Sequence, residues 1–243
     1  MNRAAGVVAI LLATTSGAAG TAEDLEAGSR ILSLVARSIA AGSSETLESI
    51  RLTHEMTTEV GGESMSDSRT VVYALPDRMS QVVPTPMGEA AIVLDGERGF
   101  MRNSSGQLEL PARTVKAARI GLGREMIVIA GNADNPELEA VATGTEEVDG
   151  EPCEVVAVSF LGGRSWLYVD SEGRVVRQTY AGTHPFDGSP GEIEVRFSEY
   201  EIVGGRLLPR RQVMSFDGER VATVTLESVE VNPELDPADF ETP

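Results

Sequence analysis

Ile50-Arg51-Leu52-Thr53-His54-Glu55-Met56-Thr57-Thr58-Glu59-Val60 decides how the chain is read. Ile50, Leu52, His54, Met56, Thr58 and Val60 fall on one side of a two-residue period. Arg51, Thr53, Glu55, Thr57 and Glu59 fall on the other, which is the pattern of a strand with one dry and one wet face. Downstream, Gly61-Gly62 turns the chain, residues 68–75 return as a second strand, and Pro76-Asp77 breaks it. Strands follow at residues 78–83, 90–94 and 99–102, with Asp95-Gly96 and Ser104-Ser105-Gly106 as turn signals. Beyond an interruption they resume at 139–146, 153–160, 164–169, 175–180, 192–200, 207–216 and 220–231, again separated by Asp-Gly and Gly-Gly turns. The reading is about eleven strands in one series, with no linker dividing them.

Two stretches depart from the strand period. Residues 23–41 carry Leu25, Ile31, Leu32, Leu34, Val35 and Ile39 at spacings of three and four, a helical stripe that Gly42 ends. Residues 111–131 carry Val115, Ala118, Ile120 and Leu122, then Met126, Ile127 and Ile129, which predicts one or two short helices broken near Gly121 or Gly123. Pro111 suits a helix start. An antiparallel meander with one polar face curls with its own twist and must cover its other face. These helices are the only cover the sequence offers. The predicted fold class is α+β: a curved antiparallel sheet, an incomplete barrel, covered by the N-terminal helix and the short mid-chain helices. A β-sandwich would leave the helical residues without a role.

The first residues read as an address. Met1-Asn2-Arg3 is followed by an apolar run over residues 4–13 and by small residues through Ala22, the order of a secretory signal peptide. The run is shorter than the ~20 residues that span a bilayer. Cleavage after Gly20 or Ala22 fits the small residues there. The expected organisation is a signal peptide over 1–22 and one domain over 23–243, exported and outside the cytoplasm.

Composition narrows function. Twenty Lys and Arg against 38 Asp and Glu give a net charge of −18 in 243 residues. That balance excludes a nucleic-acid binder, which must neutralise phosphates, and argues against docking on anionic headgroups. One cysteine, Cys153, excludes an internal disulfide, and its alternation with Val155 and Ala157 predicts a buried, inert thiol. His54 and His184 have no metal-site spacing, and no nucleophile elbow, P-loop or dinucleotide fingerprint occurs. No catalytic residue, metal or cofactor is expected, nor an integral membrane protein.

Several short motifs in order, Leu75-Pro76-Asp77-Arg78, Asp95-Gly96-Glu97-Arg98-Gly99-Phe100, Val148-Asp149-Gly150-Glu151-Pro152, Ser198-Glu199-Tyr200 with Leu208-Pro209, and Val231-Asn232-Pro233 with Phe240, follow the opening amphipathic helix. With them the chain resembles the periplasmic lipoprotein carriers of LolA/LolB-like fold. It is closer still to the outer-membrane lipoprotein-sorting-like domains, some of which occur attached to insulinase-type zinc peptidases. The resemblance implies a periplasmic binder or carrier of lipid or lipoprotein acyl chains. The alternative is a non-catalytic interaction module for an envelope peptidase or assembly machine, with a protein partner. Enclosing a sixteen-carbon chain yields on the order of 10 kcal/mol at ~0.8 kcal/mol per methylene. Candidate lining residues are Leu52, Met56, Val72, Met126, Ile127, Ile129, Trp166 and Phe197. Arg78 is a candidate to hold a ligand carbonyl at the mouth or to pair with a carboxylate.

Overall fold

The structure is a computed structural model that describes residues 20–60, 63–85, 88–184, 187–235 and 240; residues 60, 63, 84 and 85 are described in backbone only. Residues 1–19 of the segment read as a signal peptide, and the Gly61-Gly62 turn, lie outside the described residues.

Helix α1 spans Ala22–Ala40. Thr21 caps it: its hydroxyl accepts from the Asp24 amide at 3.2 Å, and the Asp24 carboxylate accepts from the Thr21 amide at 2.9 Å. At the other end Ala41 takes the left-handed conformation, one residue ahead of the Gly42 stop that the sequence suggests. The predicted stripe is the buried one. Ile31, Leu32, Val35 and Ile39 pack into the main core, while Leu25 is exposed. Gly28 brings α1 against the backbone of the following sheet, since a Cβ there would lie 2.4 Å from the Ala140 carbonyl oxygen.

Six strands follow: β1 Ser49–Val60, β2 Glu63–Ala74, β3 Arg78–Thr85, β4 Gly88–Asp95, β5 Arg98–Asn103 and β6 Gly106–Glu109. Helices α2 Ala112–Leu122 and α3 Met126–Gly131 interrupt them, with Gly123 closing α2. Pro111 sits at the cap rather than inside the helix. Seven more strands complete the chain: β7 Glu139–Val148, β8 Glu151–Phe160, β9 Gly163–Val169, β10 Val175–Thr183, β11 Pro190–Val203, β12 Arg206–Phe216 and β13 Glu219–Val231.

All thirteen strands form one sheet in the order β6-β5-β4-β3-β2-β1-β13-β12-β11-β10-β9-β8-β7, and each neighbouring pair is antiparallel. The strand count exceeds the expected eleven or so; twelve of the thirteen correspond to the individual stretches read as strands in the sequence. The added piece at the edge is β6, only four residues long and too short to show a period; its pairing with β5 defines it. The first and last strands meet mid-sheet, Ile50 opposite Val231 and Thr58 opposite Ala222. Asn232 locks that junction, its Oδ1 accepting from the Glu48 and Ser49 amides at 2.9 and 3.1 Å. The two free edges, β6 and β7, are the strands that α2 and α3 connect. The sheet curls enough for α2 to touch β9 on one half and β4 and β5 on the other. It remains open, as the sequence predicts for an incomplete barrel.

One face of the sheet carries the main core, covered by α1, α2 and α3. α3 is deeply set, with Val128 and Ile129 fully buried. α2 is not: only Val115 and Leu122 are buried along its length. The opposite face is less bare than an alternating pattern suggests. It buries Val72, Ala74, Val93 and Phe100 beneath Phe240, and separately Val148, Cys153, Val155 and Tyr168. Cys153 is buried there, and desolvation raises its pKa, in keeping with an inert thiol.

Candidate functional site

Between the concave face and the α2–α3 junction lies a cavity of about 170 Å³. Its floor comes from the sheet: Leu52 of β1, Gln178 and Tyr180 of β10, Val195 and Phe197 of β11, Leu208, Pro209, Gln212 and Met214 of β12, and Leu226 of β13. Its roof is Gly121, Arg124, Glu125, Met126 and Ile127. Strand register explains why these side chains converge, because Val195 stands opposite Met214, and Phe197 opposite Gln212. Gly121 and Glu125 are solvent-exposed, so the cavity opens beside the junction.

The roof is pinned on one side. The Gln178 amide nitrogen donates to the Arg124 carbonyl at 2.8 Å and to the Ser165 hydroxyl at 3.1 Å. The Arg124 guanidinium donates to the Arg164 and Ala181 carbonyls at 3.3 and 3.2 Å and lies 4.5 Å from the Tyr180 ring centroid. Gly123 and Gly163 allow close backbone approach, as a Cβ would lie 2.1 Å from the Phe160 oxygen and 2.5 Å from the Ile120 oxygen respectively. Tyr200 donates its hydroxyl to the Val175 carbonyl at 2.6 Å.

Glu125 is the chemically distinctive member. It occupies the position before α3 but makes no capping bond. Its carboxyl lies beside the buried Tyr73 hydroxyl instead. Part of the residue reaches solvent at the opening, but the protein packed around its carboxyl disfavours the charged form and pushes its pKa up to about 7, partly opposed by the neighbouring Tyr73 hydroxyl. The Tyr180 phenol is pushed up to about 12, first by burial and then by the Glu125 charge. A carboxyl whose native pKa exceeds its ordinary 4.5 binds protons more readily folded than unfolded, so its contribution to stability falls as pH rises from about 4.5 to about 7. Glu125→Gln removes that penalty. Thermal melts at pH 8 are expected to show the variant more stable by on the order of 1 kcal/mol, well below the full shift because solvent reaches the side chain through the opening. That is a rise of about 2–4 °C for a chain this long. At pH 4.5 the two proteins should melt together.

The sequence candidates divide. Leu52, Met126, Ile127 and Phe197 line the cavity together. Met56 lies on the same side of β1, half-buried but beyond the lining. Ile129 is solid core and lines nothing. Val72 and Trp166 stand on the opposite face of the sheet, in the two outer clusters, so they do not line this cavity. Both sit in strands where either register is apolar: Val71 and Leu167, their neighbours, face the main core. Arg78 is not at the mouth. It lines a separate depression with Asn132 and Asn232 and stacks 5.2 Å from the Phe240 ring centroid. The sequence reading names Gly121 only as a place where the helices break, and does not pick out Arg124, Glu125, Gln178, Tyr180 or Gln212 as lining. The Gly-Arg-Glu run looked like a helix break, and no pattern in the sequence signals its inward turn.

Among the described residues, no helix is long and apolar enough to cross a membrane. No group of three or more His, Cys, Asp or Glu among them is placed to hold a metal ion.

No protein-family model matches the chain, and no curated protein matches it in sequence. Solved structures do match in fold. A LolA superfamily protein from Nitrosomonas europaea superposes with a TM-score of 0.62 at 14% identity, covering 88% of this chain and 97% of that one. A DUF1329 family protein from Desulfovibrio piger gives 0.61 at 13%, covering 90% and 97%. A domain from Vibrio parahaemolyticus, named for outer-membrane lipoprotein sorting, gives 0.58 at 10%, covering 89% and 97%. At these identities the likeness is one of fold, and the fold is LolA-like, as the sequence motifs led one to expect.

Proposed function

We propose that this chain binds lipid or lipoprotein acyl chains in the cavity beneath the α2–α3 junction, and that it does so in the periplasm after export. The supporting observation is the cavity itself, lined mainly by apolar side chains and opening to solvent, in a fold shared with a LolA superfamily protein and with a domain named for outer-membrane lipoprotein sorting. The export signal at the N-terminus supports the compartment. Cleavage after Gly20 would leave Thr21 as the first residue and keep the capping box of α1; cleavage after Ala22 would remove it. Mass spectrometry of the mature N-terminus is therefore expected to read Thr21.

Size sets a condition. If a methylene is taken as about a water's ~30 Å³ share of the liquid, a cavity of 170 Å³ accepts about five or six of them. Those contribute on the order of 4–5 kcal/mol, which corresponds to millimolar or slightly better affinity. Tighter binding of a longer chain needs the roof to lift. α3 is anchored by buried Val128 and Ile129, whereas α2 is held by few buried side chains and ends at Gly121 and Gly123. α2 is then the segment that moves. Hydrogen exchange is expected to be faster in α2 than in α1 and α3, and to slow in α2 when an acyl chain binds. Equal protection of all three helices would remove the lid from the account.

The function is tested by titrating delipidated protein with a fluorescent fatty-acyl probe. Saturable uptake at one site supports it; no uptake at any chain length contradicts it.

A further inference from the structure

The roof carries a carboxylate in a position that a site for hydrocarbon alone does not need. Glu125 lines the cavity, yet among the described residues its side chain caps no helix and makes no ion pair, with the Tyr73 hydroxyl beside it. The nearest cation in sequence, Arg124, also lines the cavity, but its guanidinium is committed to the Arg164 and Ala181 carbonyls and to the Tyr180 face. Tyr73 is buried in β2 next to this carboxyl. Glu125 is exposed at the opening, and Gln212 is a second polar side chain of the lining with no hydrogen bond among the described residues. A carboxylate and an amide at the edge of an apolar hollow form a polar end to the site that can accept hydrogen bonds but repels anions.

We infer that Glu125 selects the head of the bound amphiphile, favouring an alkyl or acyl chain that ends in a nitrogen donor over one that ends in a carboxylate. This rests on the acyl-binding reading and adds the chemistry of the polar end. An ammonium or amide N–H placed at the mouth donates to the Glu125 carboxylate, a charge-assisted bond. A carboxylate placed there meets a like charge. The preference is one of head group, so chain length leaves it unchanged.

The test is isothermal titration of the full mature protein at pH 8 and 150 mM salt with decylamine, decanol and decanoate. The wild type is expected to bind decylamine at least about tenfold more tightly than decanoate, with decanol between them. In Glu125→Gln, which keeps the side-chain shape and a partner for Tyr73, the spread should shrink to about threefold or less. Glu125→Met serves as a second, apolar variant and should bind decanol best. Equal affinities for the three probes in the wild type overturn the inference and leave the alkyl site standing. An amine preference that persists in Glu125→Gln also overturns it, assigning the preference to the acidic surface instead. Failure of all three probes to bind removes the alkyl site and the inference with it.

Discussion

Gly28→Ala is expected to destabilise the protein by several kcal/mol, although alanine is the better helix former. Propensity alone predicts the opposite, a gain of about 1 kcal/mol from replacing a glycine inside a helix. The contact decides the sign. A Cβ on Gly28 would meet the Ala140 carbonyl oxygen at 2.4 Å, its carbon at 2.5 Å and the Val141 nitrogen at 2.8 Å. These are backbone atoms of β7 hydrogen-bonded to β8, so they cannot swing aside as a flexible side chain would. Relief means lifting α1, and α1 buries Ile31, Leu32, Val35 and Ile39. Each such side chain is worth about 1.5–3 kcal/mol, and their sum rivals the whole stability of a typical domain, about 5–15 kcal/mol. A loss of about 3–4 kcal/mol would lower the melting temperature by about 6–16 °C. Gly121→Ala is the control. It lies in α2 where a Cβ meets nothing within 4 Å, so there the propensity gain of about 1 kcal/mol should appear. Melts in which both variants gain stability would contradict the close approach of α1 to β7.

Gln212→Trp is expected to abolish most acyl binding while leaving the fold intact. Gln212 faces the cavity from β12, half-buried, and its side chain makes no hydrogen bond among the described residues. An indole there enters empty space. It displaces about three or four methylenes of ligand, costing on the order of 2–3 kcal/mol of burial, or a roughly 50-fold rise in Kd. The melting temperature should change by no more than about 3 °C, because filling a cavity offsets the lost polar group. The measurement pairs a melt with an acyl-probe titration. Unchanged affinity in a variant with an unchanged melt would place the acyl site elsewhere.

The strong two-residue period of β1 and the three-and-four spacing of α1 made the architecture readable in the sequence, because burial on one face leaves a direct imprint on residue choice. Three features left no such imprint. The first is the junction of β1 with β13, made by residues about 180 positions apart and fastened by Asn232, which the sequence reading names only within the Val231-Asn232-Pro233 motif. The second is the facing of Val72 and Trp166. The outer face of the sheet has small cores of its own, so Val71-Val72 and Trp166-Leu167 are apolar in both registers and alternation cannot choose between them. The third is Glu125. It follows a glycine and an arginine, as an exposed helix break would, and only the docking of Gly123 on Phe160 turns that break toward the interior. The apolar half of the cavity was thus visible in outline through Leu52, Met126, Ile127 and Phe197, while its polar end was not.

The most direct measurement is of what the protein carries. Mature protein purified from an expressing Gram-negative envelope without detergent would be extracted with organic solvent, and the extract and the intact protein weighed by mass spectrometry. The account predicts an acylated molecule bound at about one per chain in the wild type and strongly depleted in Gln212→Trp. An extract free of acyl chains, from protein that also takes up none when they are offered, would contradict it.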